Sequence, residues 1–133
     1  MSVYDILRRK YVALTPEEWV RQSFVHFLLS KKGYKKEVMN NEVQLSLNGM
    51  SRRCDTVVWD MTQHAAVIIE YKAPDVKITQ RVFDQIQRYN QVLQVRYLIV
   101  TNGMEHYCCK VDYEKQQCDF LREIPDWNTL NQK

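Results

Sequence analysis

Hydrophobic positions along the chain repeat with two periods, one typical of helices and one typical of strands. From Thr15 to Gly33, and again from about Thr79 to Leu93, apolar residues recur every three or four positions, which predicts two amphipathic helices. Thr15 suits an N-cap, and Gly33 suits the position just past a helix end. The predicted buried stripes are Val20, Phe24, Phe27 and Leu28 in the first helix, and Val82, Phe83, Ile86, Tyr89 and Leu93 in the second.

The start of the first helix carries two glutamates with different predicted positions. Pro16 takes the first helical position, and Glu18 lies three residues after Thr15, which is the spacing of a capping box. At 100° per residue, Glu17 projects into the middle of the apolar stripe, whereas Glu18 projects to its edge. We therefore expect Glu17 to point toward the surface on which the helix packs, and Glu18 to have a structural role.

Alternating polar and apolar positions predict strands in the remaining chain. The segment "NEVQLSLNGMSRRCDTVVWD" predicts a β-hairpin that turns at Asn48-Gly49, and "AAVIIEYKAPD" contains a buried strand from Ala66 to Lys72. "RYLIVTNG" and "EHYCCKVD" predict a second hairpin. The order α-β-β-β-α-β-β indicates an α/β fold, in which helices flank a mixed sheet. We expect one domain over residues 1–133, with a core at about 10–112 and a tail, 119–133, that docks or stays loose.

Charged residues stand at the ends of these apolar strands. Glu70 and Lys72 are two positions apart, so they share one face of their strand while Tyr71 points to the other. On the preceding strand, alternation assigns Asp55 to the more apolar face, with Val57 and Trp59, and Cys54 to the opposite face. Solubility does not explain a carboxylate in that position.

Four charged residues recur at strand ends in the order Glu42, Asp55, Glu70 and Lys72. A metal-dependent phosphodiesterase needs such a set, because Mg²⁺ is held by a few carboxylates together with water and phosphate oxygens. The metal polarises the phosphate and lowers the pKa of a bound water, and an ammonium offsets the charge that develops. The alternative is a buried ion-pair cluster, which is costly without a metal.

The net charge of the chain, +3, is compatible with nucleic-acid binding but does not by itself indicate it. Its distribution adds candidate phosphate contacts at Arg52 and Arg53 and at Lys35 and Lys36, although lysines near a helix C-terminus are often simply solvated. No apolar run approaches the ~20 residues of a membrane span, and the start has no signal-peptide core. We expect a cytoplasmic protein without membrane contact.

Three cysteines and a histidine lie close together in the second half of the sequence. With no export signal we expect the cysteines to be reduced thiols that serve packing. Their spacing fits no common zinc finger or ribbon, so a Cys/His metal protein is a remote alternative. These residues are His106, Cys108, Cys109 and Cys118.

The pair "CD" at Cys54-Asp55, fifteen residues before "EYK" at 70–72, resembles the signature of the PD-(D/E)xK nuclease superfamily, with Cys54 in place of the proline. The segments "TPEEWVRQ", "RRCD", "IIEYKAP", "FDQIQRYN" and "YLIVTNG" resemble, in that order, the N-terminal nuclease domain of type I restriction enzyme R subunits. The resemblance covers roughly Lys10 to Cys109 and implies a restriction-endonuclease-like core.

The resemblance implies a role for most of the charged set. Asp55 and Glu70 correspond to ligands of Mg²⁺ or Mn²⁺, and Lys72 corresponds to the catalytic lysine. Glu42 is similar to an acidic residue that acts through water or a second metal. Glu17 is similar to an acidic residue that some relatives carry on the first helix, and would be a further metal ligand.

Gln85 and Tyr89 resemble the Q-x-x-x-Y motif of these nuclease domains, which implies that they contact the DNA backbone or orient the catalytic lysine. Their spacing of four residues places both on one side of the second helix. Each also has an ordinary reading. Tyr89 suits core packing with a satisfied hydroxyl, and Gln85 suits a solvated surface.

Two functions of different classes follow from these observations. The first is a Mg²⁺-dependent endonuclease domain acting on DNA, and the second is a non-catalytic DNA-binding or assembly module of the same fold. The 133 residues leave no room for a helicase motor, and no G-x-x-x-x-G-K-[ST] loop occurs. The chain would therefore act alone, as a homodimer or in two visits to cut both strands, or together with restriction-modification or motor subunits.

Overall fold

The structure, a computed structural model, describes residues 1–132 apart from the side chains of Leu47 and Met50. Its centre is a six-stranded mixed sheet whose strands stand side by side in chain order, β3 to β8. Strands β5 and β6 are parallel, and every other neighbouring pair is antiparallel. The strands are β3 Met39–Leu47, β4 Met50–Trp59, β5 Ala65–Tyr71, β6 Tyr97–Thr101, β7 His106–Asp112 and β8 Gln117–Leu121.

Helix α1, Pro16–Lys31, covers one face of this sheet. The Thr15 hydroxyl accepts a hydrogen bond from the Glu18 amide at 3.1 Å, which confirms Thr15 as the N-cap. Gly33 follows the helix with φ +74°, a conformation that favours glycine. The helix packs into a core formed by Val20, Phe24, Val25, Leu28, Val58, Val67, Ile69, Tyr71 and Ile99, among others.

Helix α2, Gln80–Leu93, crosses the opposite face and connects the two parallel strands. Its predicted stripe is confirmed, because Phe83, Ile86 and Tyr89 are buried and Val82 and Leu93 are half-buried. The core on this face also contains Leu45, Cys54, Val57, Ile68, Leu98, Val100 and Cys109. The sheet therefore has an α1 side and an α2 side, each with its own apolar core.

The α/β architecture and all seven predicted elements are present, and further elements surround them. A hairpin of β1, Ser2–Asp5, and β2, Lys10–Ala13, precedes α1. Strand β8 and a short helix α3, Trp127–Leu130, lie in or near the tail, and Leu130 is fully buried. The described part of the tail therefore docks on the domain.

The alternation predicted for β4 is correct from Thr56 onward and wrong at Cys54. Val57 and Trp59 pack on the α2 side as expected, but Cys54 packs on that side too, instead of opposite them. Thr56 and Cys54 both pair with residues of β3, but Asp55 between them does not. Glu42, which stands across from Asp55 on β3, has φ +57°. This local distortion of both strands explains why simple alternation fails there.

Candidate nuclease site

The end of β5 carries the pair with which the site begins. Ile68 belongs to the α2-side core, whereas Val67, Ile69 and Tyr71 belong to the α1-side core, so the predicted division of faces is confirmed. Glu70 and Lys72 accordingly line a common cleft on the α2 side. The Lys72 amide still continues the sheet, since it donates to the Thr101 carbonyl at 2.9 Å.

Asp55 reaches this strand end through a hydrogen bond to its backbone. The pairing of β4 with β5 begins at Thr56 and Ile69, so Asp55 is the first residue beyond it. The Tyr71 amide donates to Asp55 Oδ2 at 2.9 Å, and a carboxylate thus takes the place of a backbone acceptor. The bond holds the Asp55 carboxylate beside Glu70.

Helix α2 lines the cleft with Tyr89 and Gln85. The Tyr89 hydroxyl donates to Glu70 Oε1 at 2.6 Å. Tyr89 is 8% exposed, so its ring packs in the core while its hydroxyl reaches the site. Gln85 is exposed at the rim. The cleft has a volume of about 150 Å³ and is lined by Arg52, Arg53, Glu70, Lys72, Val82, Gln85, Ile86 and Tyr89.

The Asp55 carboxylate changes the ionisation of Glu70 beside it. Burial and the charge of Asp55 raise the pKa of Glu70 to about 8, against smaller lowering effects of the Tyr89 hydrogen bond and the Lys72 charge. Within residues 1–132, neither Asp55 nor Glu70 has a cationic nitrogen within 4.0 Å. Burial and the same two charges also raise the pKa of the Cys54 thiol to about 12, so this cysteine stays protonated.

The donor set fits a hard divalent cation. Two neighbouring carboxylates with no ion pair among residues 1–132 offer oxygen ligands, and Mg²⁺ needs only one or two from the protein when phosphate and water supply the rest. No group of three or more His, Cys, Asp or Glu side chains suited to a metal occurs in the described part of the chain. The structure thus brings together Asp55 and Glu70 alone of the four candidate ligands.

Glu42 stands across from Asp55 but is held by the N-terminal hairpin. Arg8 Nη1 lies 3.0 Å from Glu42 Oε1, and Arg8 Nη2 lies 2.6 Å from Glu18 Oε1. Arg8 also pairs with Asp5. Burial alone would raise the pKa of Asp5, but hydrogen bonds from the Arg8 side chain and from nearby backbone amides hold this pKa below its ordinary value. A single arginine thus joins the hairpin, α1 and β3.

Replacing Arg8 by alanine is expected to lower the free energy of unfolding by about 2 kcal/mol, because it leaves the buried Asp5 carboxylate without its cation and leaves Glu18 to Arg21 alone among the described residues. Urea denaturation of the variant would measure the loss. Arg9→Ala, an exposed neighbour in the same turn, is the control and should change stability by less than about 0.5 kcal/mol. Equal losses in the two variants would contradict a specific role of Arg8.

The positions predicted for Glu17 and Glu18 are reversed. Glu17 is exposed, whereas Glu18 is 7% exposed and binds Arg8 and Gln22. Glu18 also lies 3.4 Å from Arg21, so the capping box is formed only by its Thr15 half. The buried surface of α1 includes polar residues, which the pattern of apolar residues does not show. Glu17 lies outside this buried surface.

The basic candidates separate into two groups. Arg52 and Arg53 are exposed at the mouth of the cleft. Lys35 and Lys36 come just before Met39, the first residue of β3. Arg53 pairs with Gln44, which lies five residues, or ~17 Å, along β3 from Met39. Lys35 and Lys36 therefore stand apart from the cleft.

The histidine and the three cysteines of β7 and β8 lie on two sides of the sheet, and Cys108 shares the α1 side with His106. His106 packs against the rings of Phe24 and Phe27 on the α1 side, and burial lowers its pKa. Cys109 and Cys118 lie on the α2 side, where burial raises the pKa of Cys109. The sheet itself therefore separates the ligands that a zinc site would need.

The chain is similar in sequence and in fold to proteins of one kind. The profile of a family described as "Type I restriction enzyme R protein N terminus (HSDR_N)" matches residues 16–125. A fragment of a protein assigned as an HsdR subunit of a type I restriction enzyme from Vibrio vulnificus YJ016 has a similar structure, with a TM-score of 0.63, 17% identity and 90% of this chain covered. This chain spans 25% of that fragment's length.

No curated protein matches the chain. Among residues 1–132, no helix is long and apolar enough to cross a membrane.

Proposed function

The chain belongs to the family of type I restriction enzyme R protein N termini, and on this premise we propose that it is a metal-dependent nuclease domain that hydrolyses phosphodiester bonds in DNA. The observation that carries the proposal is the pair Asp55 and Glu70, two adjacent carboxylates with no cationic nitrogen within 4.0 Å in residues 1–132, of which Glu70 lines the same cleft as Lys72. The assignment to the PD-(D/E)xK superfamily is part of this proposal.

In the proposed mechanism Asp55 and Glu70 hold one Mg²⁺ or Mn²⁺ ion, whose other positions are left to water and phosphate oxygens. Such an ion, when bound, would supply a water of lowered pKa and would withdraw charge from the scissile phosphate. Lys72 stabilises the negative charge that develops on the phosphate. We assign Glu42 no part in holding this ion, because Arg8 binds its carboxylate.

The remaining residues position these groups. Tyr89 fixes the orientation of Glu70 through its short hydrogen bond. Gln85 and the arginines Arg52 and Arg53 face the mouth of the cleft, where they would contact DNA phosphates on either side of the scissile bond. Because this chain spans only a quarter of its structural relative, restriction-modification and motor subunits, or a second copy of the chain, are proposed partners for cleavage of both strands.

Metal binding tests the proposal most directly, and Asp55→Asn is the sharpest variant. Asparagine keeps an oxygen that can accept the Tyr71 amide but removes the negative charge, so the fold is retained while a ligand is weakened. Titration calorimetry should show Mg²⁺ or Mn²⁺ affinity reduced at least about tenfold, with a melting temperature no lower than that of the wild type, because the charge that opposes ionisation of Glu70 is removed. Asp119→Asn, an exposed aspartate on β8, is the matched control.

A plasmid-nicking assay on the same proteins separates the two candidate functions. Metal binding and nicking that weaken together in Asp55→Asn support the nuclease. Wild-type protein that binds the metal and cuts no form of DNA would favour the non-catalytic module. Wild-type protein that binds neither Mg²⁺ nor Mn²⁺ would refute the proposed site.

A further inference from the structure

Helix α2 presents a basic stripe next to the cleft that the sequence patterns did not single out. Arg81, Gln85 and Arg88 are all exposed and follow each other at spacings of four and three residues, so they form one line on the helix surface. Gln85, in the middle of this line, lines the cleft, and Tyr89, which binds Glu70, is adjacent to it. We call Arg81, Gln85 and Arg88 the α2 stripe.

The arginines of the stripe are free to bind a ligand. In the part of the chain that the structure describes, neither Arg81 nor Arg88 has a carboxylate within 4.0 Å, whereas Arg8, Arg21 and Arg96 each pair with an acidic residue. The arginines on the β4 side of the cleft are likewise exposed and unpaired over the same residues. Unpaired arginines therefore stand on β4 at the mouth of the cleft and on the helix that lines the cleft.

The dimensions of the stripe match a nucleic-acid backbone. Seven residues separate Arg81 from Arg88, which is about 10 Å along the helix axis. Successive phosphates of one DNA strand advance ~3.4 Å along the duplex axis, so the two side chains would reach phosphates about three apart when α2 lies along that axis. Guanidinium groups suit such sites, because they bind phosphate oxygens through two parallel hydrogen bonds.

We propose that the α2 stripe binds the sugar–phosphate backbone of duplex DNA, across the cleft from Arg52 and Arg53, and so holds the strand that enters the site. This inference rests on the proposed function, since it states how the substrate is held at the same cleft. It assigns Arg81 and Arg88 to binding and not to the chemical step. These contacts carry affinity and register but no sequence preference.

The test is the salt dependence of DNA binding by Arg81→Gln/Arg88→Gln. Fluorescence anisotropy with a labelled 20-base-pair duplex, in EDTA so that nothing is cleaved, would give the slope of log affinity against log salt. Loss of two phosphate contacts should reduce the steepness of that slope by about 1.8 and weaken binding at least about tenfold at 0.1 M salt. Arg81→Lys/Arg88→Lys should keep most of the slope, because lysine retains the charge.

The matched control is Lys110→Gln/Arg122→Gln, which removes the same charge from exposed residues near the β7–β8 edge of the sheet. A slope in the stripe variant equal to that of the wild type would overturn the inference, and so would an equal loss in the control. Tighter binding of a single-stranded 20-mer than of the duplex would also overturn it. None of these outcomes depends on cleavage, so a wild type that fails to bind metal or nick plasmid refutes the proposed function separately.

Discussion

A Lys72→Met variant is expected to nick supercoiled plasmid about 100- to 1,000-fold more slowly than the wild type, while its Mg²⁺ affinity changes less than about threefold. Lys72 shares the cleft with Glu70, and no carboxylate within the described residues lies within 4.0 Å of its ammonium. The charge is therefore not consumed by an ion pair and remains available to the phosphate. Methionine keeps a similar unbranched stem and removes only that charge.

Nicking rates should be measured at saturating Mg²⁺ and pH 8.5, beside calorimetric titration of the metal. Lys77→Met, an exposed lysine five residues along the chain, is the control and should cut at the wild-type rate. Wild-type cleavage by Lys72→Met would remove Lys72 from the mechanism. Equal loss of metal binding and cleavage would instead assign it to the integrity of the site.

The second large effect is a dependence of metal affinity on pH, with an expected rise of about 50-fold in Mg²⁺ affinity between pH 6 and pH 8. Burial and the charge of Asp55 raise the pKa of Glu70 from its ordinary value of 4.5 to about 8. Below pH 8 a proton competes with the metal for this carboxylate, at up to tenfold per pH unit. The other groups that face Glu70 are Tyr89, Lys72 and Cys54.

The ionisation of Glu70 should also make the stability of the metal-free protein depend on pH, and stability should fall as the pH rises. Because the folded-state pKa of Glu70 is raised, the protonated side chain stabilises the folded state. This contribution to the free energy of unfolding is complete below about pH 4.5 and is lost as the pH rises toward 8. The melting temperature should therefore fall over this range, and Mg²⁺ should restore it at pH 8. In Glu70→Gln, which cannot ionise, this part of the slope should disappear.

Tyr89→Phe is a second test of the Glu70 pKa. The Tyr89 hydrogen bond lowers the pKa of Glu70, so its removal should move the affinity curve to higher pH without changing its shape. Mg²⁺ affinity of the wild type that is flat from pH 6 to pH 8 would show that Glu70 is already ionised at pH 6. The proposed electrostatics of the cleft would then be wrong.

The sequence predicts the β5 half of the site well, because one rule determines it. Residues two apart on a strand share a face, and Glu70 and Lys72 accordingly line one cleft. The periodicity of α2 likewise placed Tyr89 on the buried stripe, where its ring fills the core while its hydroxyl binds Glu70. Both predictions depend on local periodicity, which the structure preserves at these positions.

The β4 half could not be predicted in the same way. Asp55 reaches Glu70 because its carboxylate accepts the Tyr71 amide and because β3 and β4 are distorted opposite it, at Glu42. Alternation assumes regular strands and therefore misplaced Cys54. Neither a side chain that replaces a backbone acceptor nor a left-handed glutamate has a recognisable pattern in one sequence.

The glutamates of α1 show how long-range partners override a helical pattern. Glu18 is buried because Arg8, Arg21 and Gln22 bind its carboxylate, and Arg8 comes from a hairpin that no sequence pattern predicted. Projection of the apolar residues alone located the packed face too narrowly and favoured Glu17. Charge pairing between distant segments, unlike periodicity, leaves no regular spacing in the chain.

The chain-order arrangement of the sheet has a consequence for the sequence of folding events. Most neighbouring strands, β3 to β5 and β6 to β8, are joined by short turns, so their closure costs little loop entropy. The parallel pairing of β5 with β6 needs the whole of α2 to cross first. Asp55 and Glu70 can therefore meet early on the β4–β5 hairpin, whereas Tyr89 reaches them only with the slower crossover, and a nascent chain would hold both carboxylates in water before the cleft exists.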